Sequence, residues 1–302
     1  MIGTIAQALA PLVLATALGW IAGRWRLLPE NASAVLSGFV VTFALPINLF
    51  LAAAATDPKS ILNGAYFATI AVGFMAVWAM GLALGYRGGH AVPEGAMRGV
   101  ATSFPNMAYC GPPVFGAVVG SSGMLAVVVG NLVATLVMIP LTLVLLGGGA
   151  DIGKAFRSVL FKPLVLLPLA GLLLSLAGVQ IPDLARTAAD EIGRSVGGVA
   201  LFALGLILSG IAPRIDRETL INVGLKNVVQ PALMVALGFA LGLRGDLLKE
   251  VLLLGVLPAA TIAPTLALAH QTYAEEAARS VLASTIFALP GIAAGIAIAG
   301  LL

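Results

Sequence analysis

The chain has 302 residues, 60% of them hydrophobic and 10% charged, with a formal net charge of +3 and a mean hydropathy of +1.07. A soluble protein carries about a quarter charged residues, so composition excludes that class and leaves a polytopic membrane protein. The pI near 9.2 does not call for a nucleic-acid partner, because the basic residues are scattered between hydrophobic runs, where positive loop charge accounts for them. Cys110 is the single cysteine, which excludes an intrachain disulfide and a thiolate zinc site. No metal and no cofactor is expected.

About 20 apolar residues cross a bilayer, and on that ruler the chain divides into ten segments. The first five run over 2–23, 32–55, 61–86, 95–119 and 123–147. The second five run over 160–178, 192–212, 219–243, 247–270 and 277–300. No basic leader precedes the first run, which is expected to be a retained span and not a signal peptide. Turn signals punctuate the short connections: Arg26-Leu27-Leu28-Pro29, Thr56-Asp57-Pro58, Gly147-Gly148-Gly149, Ile181-Pro182-Asp183 and Ala212-Pro213-Arg214.

The fourth segment is unsuited to a continuous helix. Pro112 and Pro113 lack amide protons and their rings clash with the preceding turn, and Gly111 beside them weakens the helix further. The spacing predicts a helix that enters from Glu94, stops near Tyr109 and resumes near Val114, a break at 109–114. Val256-Leu257-Pro258-Ala259-Ala260-Thr261-Ile262-Ala263-Pro264-Thr265 in the ninth segment echoes it, with a break at 258–265. Pro105 and Pro258 lie 153 apart, Pro112 and Pro264 lie 152 apart, and Pro29 and Pro182 again 153. These offsets divide the chain into two halves, 1–150 and 151–302, each with five spans. An odd span number inverts the second half, so the fold class expected is an all-α membrane protein of two inverted five-helix repeats with crossed broken helices. Paired interrupted spans point to a transporter's binding site.

Of the 16 lysines and arginines, 11 fall on one side of this layout and five (Lys59, Arg186, Arg194, Arg244 and Lys249) on the other. The richer side is expected in the cytoplasm, with both termini outside. No Asp or Glu falls mid-span; Glu250 is placed near an end. The expected site therefore consists of neutral polar groups and helix ends, whose amide-rich, partly positive N-termini favour an anion. Asn106 ranks first, since an amide offers a carboxylate both donors and an acceptor; Asn131 is a comparable polar residue on an apolar helix. Gly111, Pro112, Pro113 and Pro264 shape the break. Thr261 and Thr265 either contact ligand or return hydroxyls to freed carbonyls. Asn48, beside Pro46, either faces the cavity or lies on a kinked helix. Lys226 is read as snorkelling to the interface, and His270 as interfacial.

Phe104-Pro105-Asn106 with Gly111, Pro113 and Gly120 resembles the fourth span of the auxin efflux carrier family, which includes the plant PIN carriers and many bacterial members. Leu257-Pro258 through Pro264, Ala269-His270 and Tyr273 resemble its ninth span, and Ser284-Thr285 with Leu289-Pro290 its tenth. Leu45-Pro46 with Leu49-Phe50 resembles a second-span pattern, with Asn48 a variation. The long cytoplasmic loop of plant PIN carriers is absent between Gly147 and Lys162, which favours a bacterial-type member in the inner membrane. The resemblance implies a scaffold and a transport domain, elevator-type alternating access, a homodimer in many members, and a small organic anion such as auxin, malate or malonate as cargo. It also implies that Asn106 touches substrate and that Asn131 occupies a similar polar position. An enzyme is not expected, because neither a nucleophile with its base nor metal ligands fall at depth. The alternative is a sodium-coupled symporter of the bile-acid type, built on clustered oxygens at the break. A passive channel is disfavoured, since no ring of charges repeats.

Overall fold

Residues 2–56, 63–120, 124–147, 153, 156–157, 160–211 and 214–301 are described in the computed structural model. They are mostly helical and contain no β-strand. The helices are α1 (Ile2–Arg24), α2 (Ala32–Ala54), α3 (Gly64–Arg87), α4 (Val92–Ser103), α5 (Gly111–Val118), α6 (Leu125–Leu146), α7 (Pro163–Leu176), α8 (Asp183–Ser209), α9 (Arg217–Ala240), α10 (Gly245–Val256), α11 (Ile262–Ala269) and α12 (Ala274–Ala299). Among the described residues seven, α1, α2, α3, α6, α8, α9 and α12, are long and apolar enough to cross a membrane. Many of their large apolar side chains, such as Leu14, Phe43 and Ile286, are exposed, as a lipid-facing surface requires. Asp57, Pro58, Lys59, Gly148, Gly149, Lys154, Ala212 and Pro213 lie outside the described residues.

The helix α8 starts at Asp183, well before the expected boundary of 192, because Pro182 supplies an extended entry and the Asp190–Arg194 pair at i, i+4 lets a charged stretch remain helical. Among the described residues three helices contain a π-helical turn: Val40–Ala44 in α2, Ala134–Met138 in α6 and Leu225–Val229 in α9. A proline comes two residues after each of them, at Pro46, Pro140 and Pro231. A helical proline clashes with the carbonyl four residues earlier. Here those carbonyls belong to Thr42, Leu136 and Asn227, all inside the widened turns, which make room for the ring. Pro46 thus widens the second span.

The chain groups into two units. The first comprises residues 1–63, 107–128 and 161–211. Within it α1 and α8 lie backbone to backbone: a Cβ on Gly205 would fall 2.6 Å from the Trp20 backbone nitrogen. The second comprises residues 64–106, 129–160 and 212–302. There the glycines of α3 bring α4 close, since a Cβ on Gly85 would lie 2.8 Å from the Gly95 Cα. This internal packing explains the Gly81 and Gly85 pair without a second protomer.

Candidate functional site: two severed helices joined by their backbones

Each break is set by a proline acting on the residue before it. A proline disfavours the α region for its predecessor, and Phe104 (φ −79°, ψ 110°) and Leu257 (φ −60°, ψ 145°) are both extended. The helix α4 therefore ends at Ser103, earlier than the expected Tyr109, and α5 resumes at Gly111, not Val114. Pro112 and Pro113 sit in the first turn of α5, where a missing amide proton is harmless. Pro264 lies likewise in the first turn of α11. The prolines that cut the helices are Pro105 and Pro258.

The two cut segments pair through the main chain. The Asn106 N–H donates to the Pro258 carbonyl at 2.7 Å, and the Ala260 N–H donates to the Phe104 carbonyl at 2.9 Å. Pro105 and Ala259 form an isolated antiparallel bridge. A backbone freed inside a membrane must find partners in protein, and here each break supplies them to the other.

Other freed groups are served by side chains of α9 and α12. From α9 the Lys226 ammonium donates to the Gly255 carbonyl at 3.0 Å and the Leu257 carbonyl at 2.6 Å. One turn on, the Gln230 amide donates to the Ser103 carbonyl at 2.7 Å. Asn227 donates to the Ser284 carbonyl and accepts from its hydroxyl at 2.6 Å, and that hydroxyl accepts from the Ala259 N–H at 2.9 Å. The π turn over 225–229 lets the consecutive residues Lys226 and Asn227 reach different neighbours. Lys226 is 0% exposed, so it does not snorkel. A carbonyl pair at the partly negative C-terminal end of α10 holds the charge inside, closer than the interface.

Of the residues expected at the site, Asn106 is 1% exposed at the pairing itself. Thr261 comes directly after the second paired segment, buried, and its carbonyl accepts from the Thr265 hydroxyl at 3.0 Å. Pro264 and Thr265 lie on α11 in the same unit, and so does the buried Asn131 on α6. Asn48, Gly111, Pro112 and Pro113 belong to the first unit. Asn48 there donates to the Gly193 carbonyl at 3.4 Å and joins α2 to α8. His270 is exposed at the end of α11. A shallow groove lined by Leu82, Tyr86, Val92 and Leu145 is apolar and offers an anion nothing.

Two polar groupings escaped the sequence reading. Glu250, placed near a span end, is buried and accepts from the Tyr66 hydroxyl at 2.5 Å. A tyrosine and a glutamate 184 residues apart leave no local signal. The second grouping joins α4 and α9 with His90 just before α4 and Tyr273 just before α12. His90 lies 2.9 Å from Glu94 and 3.3 Å from Glu218. Arg98 bonds Asn222 at 2.9 Å and pairs with Glu218 at 3.4 Å. Tyr273 donates to Glu218 at 2.5 Å and accepts from Asn222. Burial first, then that hydrogen bond to a carboxylate, pushes the Tyr273 hydroxyl well above the usual phenol range. Among the described residues no cluster of His, Cys, Asp or Glu is able to hold a metal ion.

Long apolar helices, two proline-cut segments and a buried polar frame define a multi-pass membrane protein of transporter type. The sequence profile of the family described as membrane transport protein matches residues 4–154 and 150–294, and the chain belongs to that family, the auxin efflux carriers. It is 26% identical over 294 residues to "Uncharacterized transporter YfdV" of Escherichia coli (strain K12), covering 92% of each chain. It is 27% identical over 290 residues to "Putative malonate transporter" of Rhizobium meliloti (strain 1021), covering 90% of this chain and 88% of that one. The resemblance expected from Phe104-Pro105-Asn106 and Leu257-Pro258 is thereby borne out.

Proposed function

We propose that this membrane transporter carries small organic anions, carboxylates of the malonate or auxin kind, by elevator-type alternating access. The observation that carries the reading is the backbone pairing of Phe104–Asn106 with Pro258–Ala260, which puts Asn106 at the junction of two interrupted helices. Such junctions are where transporters of this construction hold substrate. Asn106 is the first contact, with Thr261 beside it and Asn131, Pro264 and Thr265 in the same unit, which serves as the carrying body. The seven long helices, the shorter α7 and the cut pairs α4–α5 and α10–α11 make ten crossings. These form inverted halves 1–150 and 151–302, with both termini outside the inner membrane and a homodimer as the assembly. The similarity to a protein named for malonate makes malonate the first compound to try.

The test is flux of radiolabelled malonate, malate and indole acetate into liposomes. Asn106→Ala is expected to lower uptake at least tenfold while the protein remains folded. Equal uptake by parent and variant for every transported acid removes Asn106 from the site. An absolute sodium requirement replaces this reading with the bile-acid-type symporter.

A further inference from the structure

The most unusual group in the second unit is Lys226. An ammonium inside a membrane is costly, yet this one is fully buried and turned onto two main-chain carbonyls. One lies in the last turn of α10 and the other just past its end, where helix carbonyls lack intrahelical partners and carry the negative pole of the helix dipole. The approach is built in. A Cβ on Gly255 would lie 2.7 Å from the Pro231 Cα, so the absent side chain lets α9 sit directly on the α10 terminus. The π turn then points the lysine stem at that terminus. Unwound carbonyls at the C-terminal end of a half-helix are the usual ligands of sodium in carriers with broken helices. Here the same kind of acceptor is already filled by a covalently attached cation.

We propose that the Lys226 ammonium is the resident cation of the α10 break, standing where a coupling sodium ion would otherwise bind, so that the crossing is complete without sodium. This rests on the transporter reading for its consequence in transport alone. The Leu257 carbonyl that Lys226 holds is adjacent to the Pro258 carbonyl that receives Asn106. Neutralising the carbonyl end of the break therefore also removes negative potential from the place proposed for an anion.

The experiment is thermal unfolding of the purified protein in sodium, potassium, choline or methylammonium chloride at equal ionic strength. The parent is expected to melt at the same temperature in all four. Lys226→Ala, which empties the position, is expected to melt several degrees lower in choline and to recover saturably with methylammonium or sodium. Lys226→Met, which fills the position without charge, stays low in every salt. Saturable stabilisation of the parent by sodium overturns the proposal, and so does an alanine variant indifferent to both small cations. If Lys226→Ala does not survive extraction, the folded yield in methylammonium against choline decides: a higher yield supports the proposal and equal yields overturn it. No substrate is needed, so absent carboxylate flux would reject the cargo and leave this result standing.

Discussion

Lys226 and Gln230 are polar residues that hydrophobic burial alone would expel. Each remains because a carbonyl freed where a helix is cut stands within reach, and a hydrogen bond from a charged group such as the lysine ammonium contributes about 1.5–3 kcal/mol. Tyr66 and Glu250 obey the same rule on the other side of the charge scale. Tyr66→Phe removes a donor from a buried carboxylate and keeps the ring. It is expected to destabilise the protein by about 1–3 kcal/mol, measured by thermal or denaturant unfolding, while Tyr66→Phe in a Glu250→Gln background is expected to cost less. Tyr273 illustrates a different compromise. Its backbone is left-handed at φ 55°, a conformation that costs a non-glycine residue about 1–2 kcal/mol. The hydroxyl bonds to Glu218 and Asn222 and the edge-on contact with His90 hold it there.

At the scale of elements, α9 has the most to do, since one face of it serves both breaks. Its seat on α10 depends on Gly255, so Gly255→Ala is expected to cost about 1–3 kcal/mol by overpacking and to reduce transport. Gly38→Ala, where a Cβ meets nothing within 4 Å, is the neutral or slightly stabilising control in the same unfolding assay. That helices are interrupted beside Pro105 and beside Pro258 was legible in the sequence, as was the polar stretch Lys226–Gln230. Which prolines cut was not. Pro112 and Pro113 look like the stronger breakers, but a proline disrupts the helix on its N-terminal side and is welcome in the first turn of the next one. The direction of Lys226 was hidden for another reason: periodicity gives no sign of a π turn, and snorkelling is the cheaper solution when no carbonyls are free nearby. The burial of Glu250 left no local signal because its partner Tyr66 comes from a distant helix.

For the whole molecule, ten apolar runs were readable from composition and length; among the described residues a long helix is present at seven of the nine runs that exceed 20 residues, and the other two are cut. The grouping of residues 107–128 with the first unit was not readable, since contacts between distant helices leave no trace in local hydropathy. Charge at the membrane boundary gives a prediction for the full chain. Asp216 caps α9 by accepting from the Thr219 N–H at 2.8 Å and pairs with Arg279 at 3.0 Å. That backbone hydrogen bond, then the arginine charge, holds its carboxyl below the usual range. A depressed carboxylate contributes stability above its unfolded pKa of about 3.9 and loses it as pH falls through the folded value. Thermal midpoints are expected to drop below about pH 4, and Asp216→Asn to flatten that limb of the profile.

The hydrogen bonds that join Phe104–Asn106 to Pro258–Ala260 run between main-chain atoms. Nothing in that fastening depends on the side chains of Phe104, Ala259 or Ala260. Phe104 is only partly buried and can change without touching those bonds, whereas Ala259 and Ala260 are buried and have no room for larger side chains. Variation at Phe104 thus alters the surroundings of the paired segments on an unchanged frame.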